Sequence, residues 1–323
     1  MNNIKQDLNF YLNGNVIRTE WFPPEINNLD LIPKGDMPGD KIKIDEMHMK
    51  KAKVIFPELL KLLIPILEEA PKKKAVIAVH GGSGVGKSEI GSLISHYLNL
   101  MNIGSYLLSG DNYPHRIPKV NDAERIRIFR ESGVKGLVSS GEYMAERNGV
   151  LQELQERDID SDTDYQNKYP WLKIYQEAGC NGLKKYLSTE QEIDFDELST
   201  YVSKFINGEP VIYLKRMGRE EKELWYDPIN FTNTNVMVIE WTHGNNNNLL
   251  GVDIPVLLNS TPQETLEHRR LRNRDGATDS PFTMMVLNVE QDLLVSQASR
   301  AKLIVTRNGD IISYEEFQKL MGQ

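Results

Sequence analysis

The segment Ala75-Val76-Ile77-Ala78-Val79-His80-Gly81-Gly82-Ser83-Gly84-Val85-Gly86-Lys87-Ser88 restricts what this 323-residue chain can fold into more than any other. It joins a short continuous apolar run to a glycine loop ending in Lys-Ser. Such a run suits a parallel strand buried on both faces. The glycines let successive backbone N–H groups turn toward one point without a Cβ clash. Glu89 to Leu100 then carries apolar residues at helical spacing, so the loop opens onto a helix N-terminus that favours negative charge. The loop matches G-x-x-x-x-G-K-[ST] in full. In that pattern the backbone cradles phosphates, the lysine reaches the β/γ-phosphates and the hydroxyl sits on Mg²⁺. Gly82, Ser83, Gly84, Val85, Gly86, Lys87, Ser88 and Glu89 are the expected nucleotide-binding residues, with ATP and Mg²⁺ as cofactors and Ser88 on the metal.

Further strand-like runs lie at Ser105–Leu108, Val211–Leu214, Val236–Glu240, Ile254–Leu258 and Lys302–Val305. Helical patterns fall between them at 122–132, 142–157, 170–186, 196–206 and 263–274. Strands alternating with helices predict a mainly parallel sheet covered on both faces, a three-layer α/β/α fold of the P-loop NTPase type. Residues 1–70 read as an N-terminal extension. Within it, Asn13-Gly14 signals a hairpin, and 22–40 is a Pro/Gly/Asp-rich loop. A helix follows over 45–69, with Pro57 and Pro65 expected to divide or kink it. The phosphate-loop domain is expected over 71–323, with 117–192 a helical insertion on the substrate side and 268–282 a lid.

Composition sets outer limits. Lys plus Arg number 38 against 46 Asp plus Glu, a formal net charge of -8. An acidic chain is a poor general binder of nucleic acid or anionic membrane. The single cysteine, Cys180, permits no intrachain disulfide, which fits a reducing compartment. The N-terminus lacks a basic segment followed by an apolar core, and the longest apolar stretch is broken by Lys61 and Pro65. A cytoplasmic protein acting on a small molecule is expected.

Two acids extend the phosphate loop into a reaction site. Asp111, in Ser109-Gly110-Asp111-Asn112-Tyr113-Pro114-His115-Arg116, falls at a strand's C-terminal end, the edge where open parallel sheets bind ligands. A carboxylate there can take the proton of an attacking hydroxyl. Tyr113, His115 and Arg116 are the candidate acceptor-binding residues beside it. Glu240 ends the apolar run Val236–Ile239 and is expected near Mg²⁺. His243, just beyond, is a candidate for the acceptor pocket. Lys215, Arg216 and Arg219 follow another strand and, with His115 and Arg116, lean toward an anionic acceptor. Four arginines crowd 269–274; Arg270 and Arg274 are expected to close over the transferring phosphoryl group.

These segments together resemble the phosphoribulokinase/uridine kinase family over about 75–315. Gly110 to Arg116 resembles the family's G-D-x-F-H-R segment with one extra residue. Ile193-Asp194-Phe195-Asp196-Glu197-Leu198 followed by Gly208-Glu209-Pro210-Val211 is similar to its F-D-F-D-x-L helix and G-x-P-V. Val238-Ile239-Glu240-Trp241 resembles V-x-E-G, and Arg270 to Asp275 an arginine-rich lid. The resemblance implies ATP-dependent phosphorylation of a hydroxyl on a sugar phosphate, nucleoside or similar metabolite. Asp111 inherits the role of base, and a homodimer is compatible with the family. Gly110-Asp111-Asn112 also resembles adenylylsulfate kinases. A nucleotide-binding regulator or switch ATPase is the alternative from another class.

Overall fold

The computed structural model describes residues 9–12, 15–18, 21, 26, 31–40, 42–267 and 280–322, with the backbone alone for 9–12 and 15–18. Six strands make the main sheet: β3 (Ala75–Gly81), β4 (Ser105–Ser109), β7 (Val236–Glu240), β8 (Ile254–Leu258), β9 (Leu303–Val305) and β10 (Ile311–Ile312). Their order is β10-β9-β8-β3-β7-β4. All neighbours are parallel except the β10 edge, which runs antiparallel to β9.

Every residue of β3, β7 and β8 is buried, as a sheet covered on both faces requires. Side chains alternate between the two faces. Ala75, Ile77, Val79, Val236 and Val238 pack with α1 (Glu46–Glu69) and α2 (Lys87–Leu100). Val76, Met237 and Ile239 pack with α6 (Phe195–Ile206) and β5 (Val211–Met217). This is the expected three-layer α/β/α arrangement of a P-loop NTPase.

Two local expectations are corrected. Pro57 and Pro65 do not divide the N-terminal helix: α1 runs unbroken over 24 residues. Lys53 and Lys61, whose carbonyls lose their helical partners to the prolines, are exposed, so water can serve them. The buried stripe Ile55, Phe56, Leu59, Leu60, Leu63 and Leu67 holds the helix to the sheet. Second, Val211–Leu214 does not join the parallel sheet. It lies in β5, which pairs antiparallel with β6 (Leu224–Asn230) as a two-stranded ribbon. Val211 and Tyr213 are exposed while Ile212 and Leu214 are buried, the alternation of a half-covered strand. The expected hairpin is present as β1 (Asn9–Leu12) paired with β2 (Asn15–Arg18); Asn13 and Gly14 lie outside the described residues.

Between β4 and β5 the chain is mostly helical: α3 (Pro118–Ser139), α4 (Ala145–Glu156) and α5 (Leu172–Tyr186). With α7 (Pro281–Gln297) they bury their own cluster around Phe129, Leu137, Leu151, Tyr175 and Val286. Tyr175 belongs to this cluster and Tyr165, Tyr169 and Trp171 pack against it. Alpha-helices α3 and α5 meet across glycines: a Cβ at Gly133 would stand 2.5 Å from Tyr175, and one at Gly179 2.4 Å from Phe129. Among the described residues no helix is long and apolar enough to cross a membrane.

Candidate active site

Strand register brings the site together. Val79 of β3 and Ser109 of β4 both stand opposite Glu240, the last residue of β7. The glycine loop leaves β3 and the Asp111 turn leaves β4 at the same sheet edge, so side chains far apart in sequence converge there. Gly86 caps α2 with φ +92°, a backbone region that favours glycine, and a Cβ there would meet the His48 ring at 2.8 Å. His48 belongs to the first turn of α1, where it closes a capping box with Asp45. The first turn of α1 therefore supports the loop from behind.

At the phosphate end Lys87 Nζ donates to the Gly82 carbonyl at 2.9 Å. Ser88 Oγ donates to Glu240 Oε2 at 2.9 Å, and Ser109 Oγ donates to Glu240 Oε1. Burial and the neighbouring Asp111 charge push the Glu240 carboxyl well above the usual range, against the pull of these hydroxyls and Lys87. A carboxylate held up in this way has room for a further positive charge. Ser88 and Glu240 are hard oxygen donors of the kind Mg²⁺ takes alongside nucleotide phosphates. The residues present therefore fit the expected cation.

Next to this end opens a cavity of about 510 Å³. Ser83, Gly84, Lys87, Ser88, Asp111 and Glu240 lie on its wall, as do Arg116 and Arg219. The structure thus brings together the loop, both predicted acids and two of the predicted arginines. Gly82, Val85 and Gly86 shape the loop behind it.

Other predicted residues lie elsewhere, each for a physical reason. Tyr113 is wholly buried in the sheet's second core, and among the described residues its hydroxyl has no hydrogen-bond partner. His115 is turned outward, its Nε2 donating to the Glu190 carbonyl at 2.9 Å. His243 is buried behind the cavity, sharing a 2.6 Å hydrogen bond with Ser188 Oγ, and burial lowers it to about 4. Glu89 is buried in α2, off the cavity wall. Lys215 pairs with Glu197 at 3.4 Å. Arg216 is 4 % exposed and locked to Asp36 at 3.0 Å and Asp227 at 3.2 Å. Of the cations that suggested an anionic acceptor, Lys215 and Arg216 are thus paired with carboxylates, while Arg116 and Arg219 stand on the cavity wall. Arg270 and Arg274 lie outside the described residues.

Asp36 is a residue that sequence reasoning missed. It accepts from the Ser109 backbone N–H at 2.7 Å, from Tyr106 Oη at 2.9 Å and from Asn112 Nδ2 at 3.2 Å. Asn112 Oδ1 in turn accepts from the Met217 N–H at 3.0 Å. A stretch of the N-terminal segment thus ties the Asp111 turn to the β5–β6 ribbon, and Asn112 is occupied in that architecture. Gly110 is required by Trp241, whose ring a Cβ would meet at 2.0 Å. The opposite wall was also missed. Arg125 of α3 pairs with Glu192 at 2.7 Å and Glu290 at 3.5 Å, and Arg130 with Asp158 and Asp160 at 2.9 and 3.0 Å.

The sheet order and its glycine loop define a phosphate-loop nucleotide-binding fold. No protein-family model matches the chain. Over 245 residues, 76 % of its length, it is 36 % identical to the bifunctional alpha-galactosidase/sucrose kinase AgaSK of Mediterraneibacter gnavus. The chain spans only 21 % of that protein. Among solved structures it is similar to a protein of Silicibacter sp. TM1040 proposed to be a fructose transport system kinase, with 11 % identity and a TM-score of 0.41. That likeness covers 76 % of this chain and 95 % of the other. It is similar also to a protein of Bacillus stearothermophilus proposed to be a uridine kinase, with 10 % identity, a TM-score of 0.39 and coverage of 76 % and 96 %.

Proposed function

We propose that this chain is an ATP-dependent kinase that transfers the γ-phosphoryl group to a hydroxyl of a small metabolite of the carbohydrate class. The observation that carries this reading is the shared cavity: Asp111 stands on one wall with Lys87, Ser88 and Glu240. A switch that only bound and hydrolysed nucleotide would have no need of the large second half of that cavity. Similarity to a protein with sucrose kinase activity in its name supports a carbohydrate acceptor.

In this reading the loop N–H groups and Lys87 hold the nucleotide phosphates. Lys87 leaves the Gly82 carbonyl for phosphate oxygen, a stronger charge-assisted partner. Ser88 and Glu240 would hold Mg²⁺, which when bound spreads the negative charge on the β- and γ-phosphates. Asp111 orients the acceptor hydroxyl. The hydroxyl oxygen bonds to the γ-phosphorus, the bond from that phosphorus to the β–γ bridging oxygen breaks, and ADP leaves. The hydroxyl proton passes to the Asp111 carboxylate. The Asp36–Ser109 bond holds the turn on which Asp111 sits.

The test is ADP release from Mg·ATP against sugars, nucleosides, sugar phosphates, polyols and adenylylsulfate, with Asp111→Asn in parallel. Turnover should depend on one acceptor class and fall by about 10²–10⁴ in the variant. ADP release that ignores every acceptor, or that survives Asp111→Asn, would replace the kinase with the switch ATPase.

A further inference from the structure

The N-terminal extension has no task in the kinase reading, yet it reaches the catalytic edge of the sheet twice. His48, in the first turn of α1, backs Gly86 of the phosphate loop. Earlier in the chain, Gly35, Asp36 and Met37 pass the ends of β4 and β7. A Cβ on Gly35 would stand 3.7 Å from Glu240 Oε1. Asp36 Oδ1 accepts from the Ser109 N–H at 2.7 Å, and the Ser109 hydroxyl donates to Glu240. Met37 is 6 % exposed and lies on the cavity wall with Lys87, Ser88, Asp111 and Glu240.

Local chemistry fixes Met37 from both sides. Upstream, Ile32 is buried in the core that α1 and α2 make with the sheet. Asp36 is held by Arg216 at 3.0 Å and Tyr106 at 2.9 Å besides Ser109. Downstream, Met37-Pro38-Gly39-Asp40 closes a turn, the Asp40 N–H donating to the Met37 carbonyl at 3.3 Å with Gly39 at φ +78°. Proline followed by glycine at positive φ is the pattern of a type II turn. The site thus places one buried thioether among polar reacting groups. An ordered water needs roughly 2–4 polar partners, and a thioether is a weak acceptor. Methionine is also flexible enough to follow the C–H surface of an acceptor.

We propose that residues 35–37 are a positioning element of the active site, in which Asp36 sets the Asp111 turn and Met37 keeps water from taking the place of the acceptor hydroxyl. The proposal rests on the kinase reading for the acceptor. In the reaction that Met37 suppresses, a water oxygen bonds to the γ-phosphorus and the bond from that phosphorus to the β–γ bridging oxygen breaks. The water proton passes to Asp111, and ADP and inorganic phosphate leave.

The experiment follows sugar phosphate and inorganic phosphate together in the full chain, with Mg·ATP and the acceptor that the panel selects. Met37→Ala should raise the share of ADP that is matched by inorganic phosphate by roughly tenfold, because water then reaches the reacting groups. KM for ATP should stay nearly constant, and Met37→Leu should restore the low share. Amide hydrogen exchange over 107–113 should not change in either variant, since Asp36 keeps its bonds. Asp36→Asn should speed that exchange and lower kcat for transfer by up to about 100-fold, the cost of a small misplacement. An unchanged share in Met37→Ala, or the same rise in Met37→Leu, would overturn the role of Met37. Unchanged exchange and kcat in Asp36→Asn would overturn that of Asp36. If Asp36→Asn does not fold, the two Met37 variants still decide. Should the wild-type chain phosphorylate no acceptor, inorganic phosphate release from Mg·ATP is read alone. Faster release in Met37→Ala keeps the water barrier and removes the kinase; an unchanged rate removes the barrier.

Discussion

At the phosphate end Lys87 Nζ donates to the Gly82 carbonyl, and its charge also acts on Glu240. On the opposite wall Arg125 and Arg130 rest on carboxylates that hold them in place before any ligand arrives. In the proposed reading the difference bears on what each end would receive. A lysine ammonium can trade a carbonyl for phosphate oxygen, a charge-assisted partner. An arginine between carboxylates cannot, but it offers fixed donors and acceptors to a neutral ligand. The inner part of that wall is also structural. Arg125 is held strongly protonated, since the attraction of Glu192 and Glu290 outweighs the effect of burial.

The largest expected effect exploits this contrast. Arg125→Met strands Glu192, which is 0 % exposed, beside Glu290 and should cost about 3–5 kcal/mol in denaturant unfolding. Lys87→Met should leave unfolding nearly unchanged yet reduce kcat/KM for ATP by roughly 10²–10³. Similar stability losses in the two variants would erase the distinction between the ends.

The two ends were not equally legible in the sequence. The loop could be read because strand, glycines, lysine and helix are contiguous, and Glu240 because it ends an apolar run. Register then put Ser109 and Val79 beside it. The opposite wall was hidden by the two demands on α3. One side packs through Gly133 against Tyr175, while the other turns polar side chains to a cavity, so no single apolar stripe marks the helix. Asp36 was hidden for another reason: a loop aspartate reveals nothing about partners at Tyr106, Ser109 and Arg216 until the chain is folded. Tyr113, His115, Arg216 and His243 were read from positions at or near strand ends, and the folded chain sets them off the cavity wall, in contacts that a linear sequence does not show.

A pH series sharpens the account of the phosphate end. Glu240 is raised, so protons compete with the cation it would hold. Affinity for Mg·ATP should therefore climb with pH through the raised range, by at most about tenfold per pH unit, and level off above it. Glu240→Gln should flatten that slope. A slope that persists in Glu240→Gln would assign the proton elsewhere. The smallest effect is expected at Tyr113, whose buried hydroxyl has no hydrogen-bond partner among the described residues. Tyr113→Phe should stabilise by about 1 kcal/mol or less and leave KM for the acceptor unchanged. A raised acceptor KM would return Tyr113 to the site.

The central claim, that phosphates at one end meet a neutral hydroxyl at the other, is tested most directly by ³¹P NMR of the full chain with Mg·ATP and a neutral sugar panel. The account predicts a phosphomonoester signal growing in step with ADP for at least one sugar, and neither signal with Asp111→Asn. Release of inorganic phosphate alone, at a rate that no sugar changes, would contradict it.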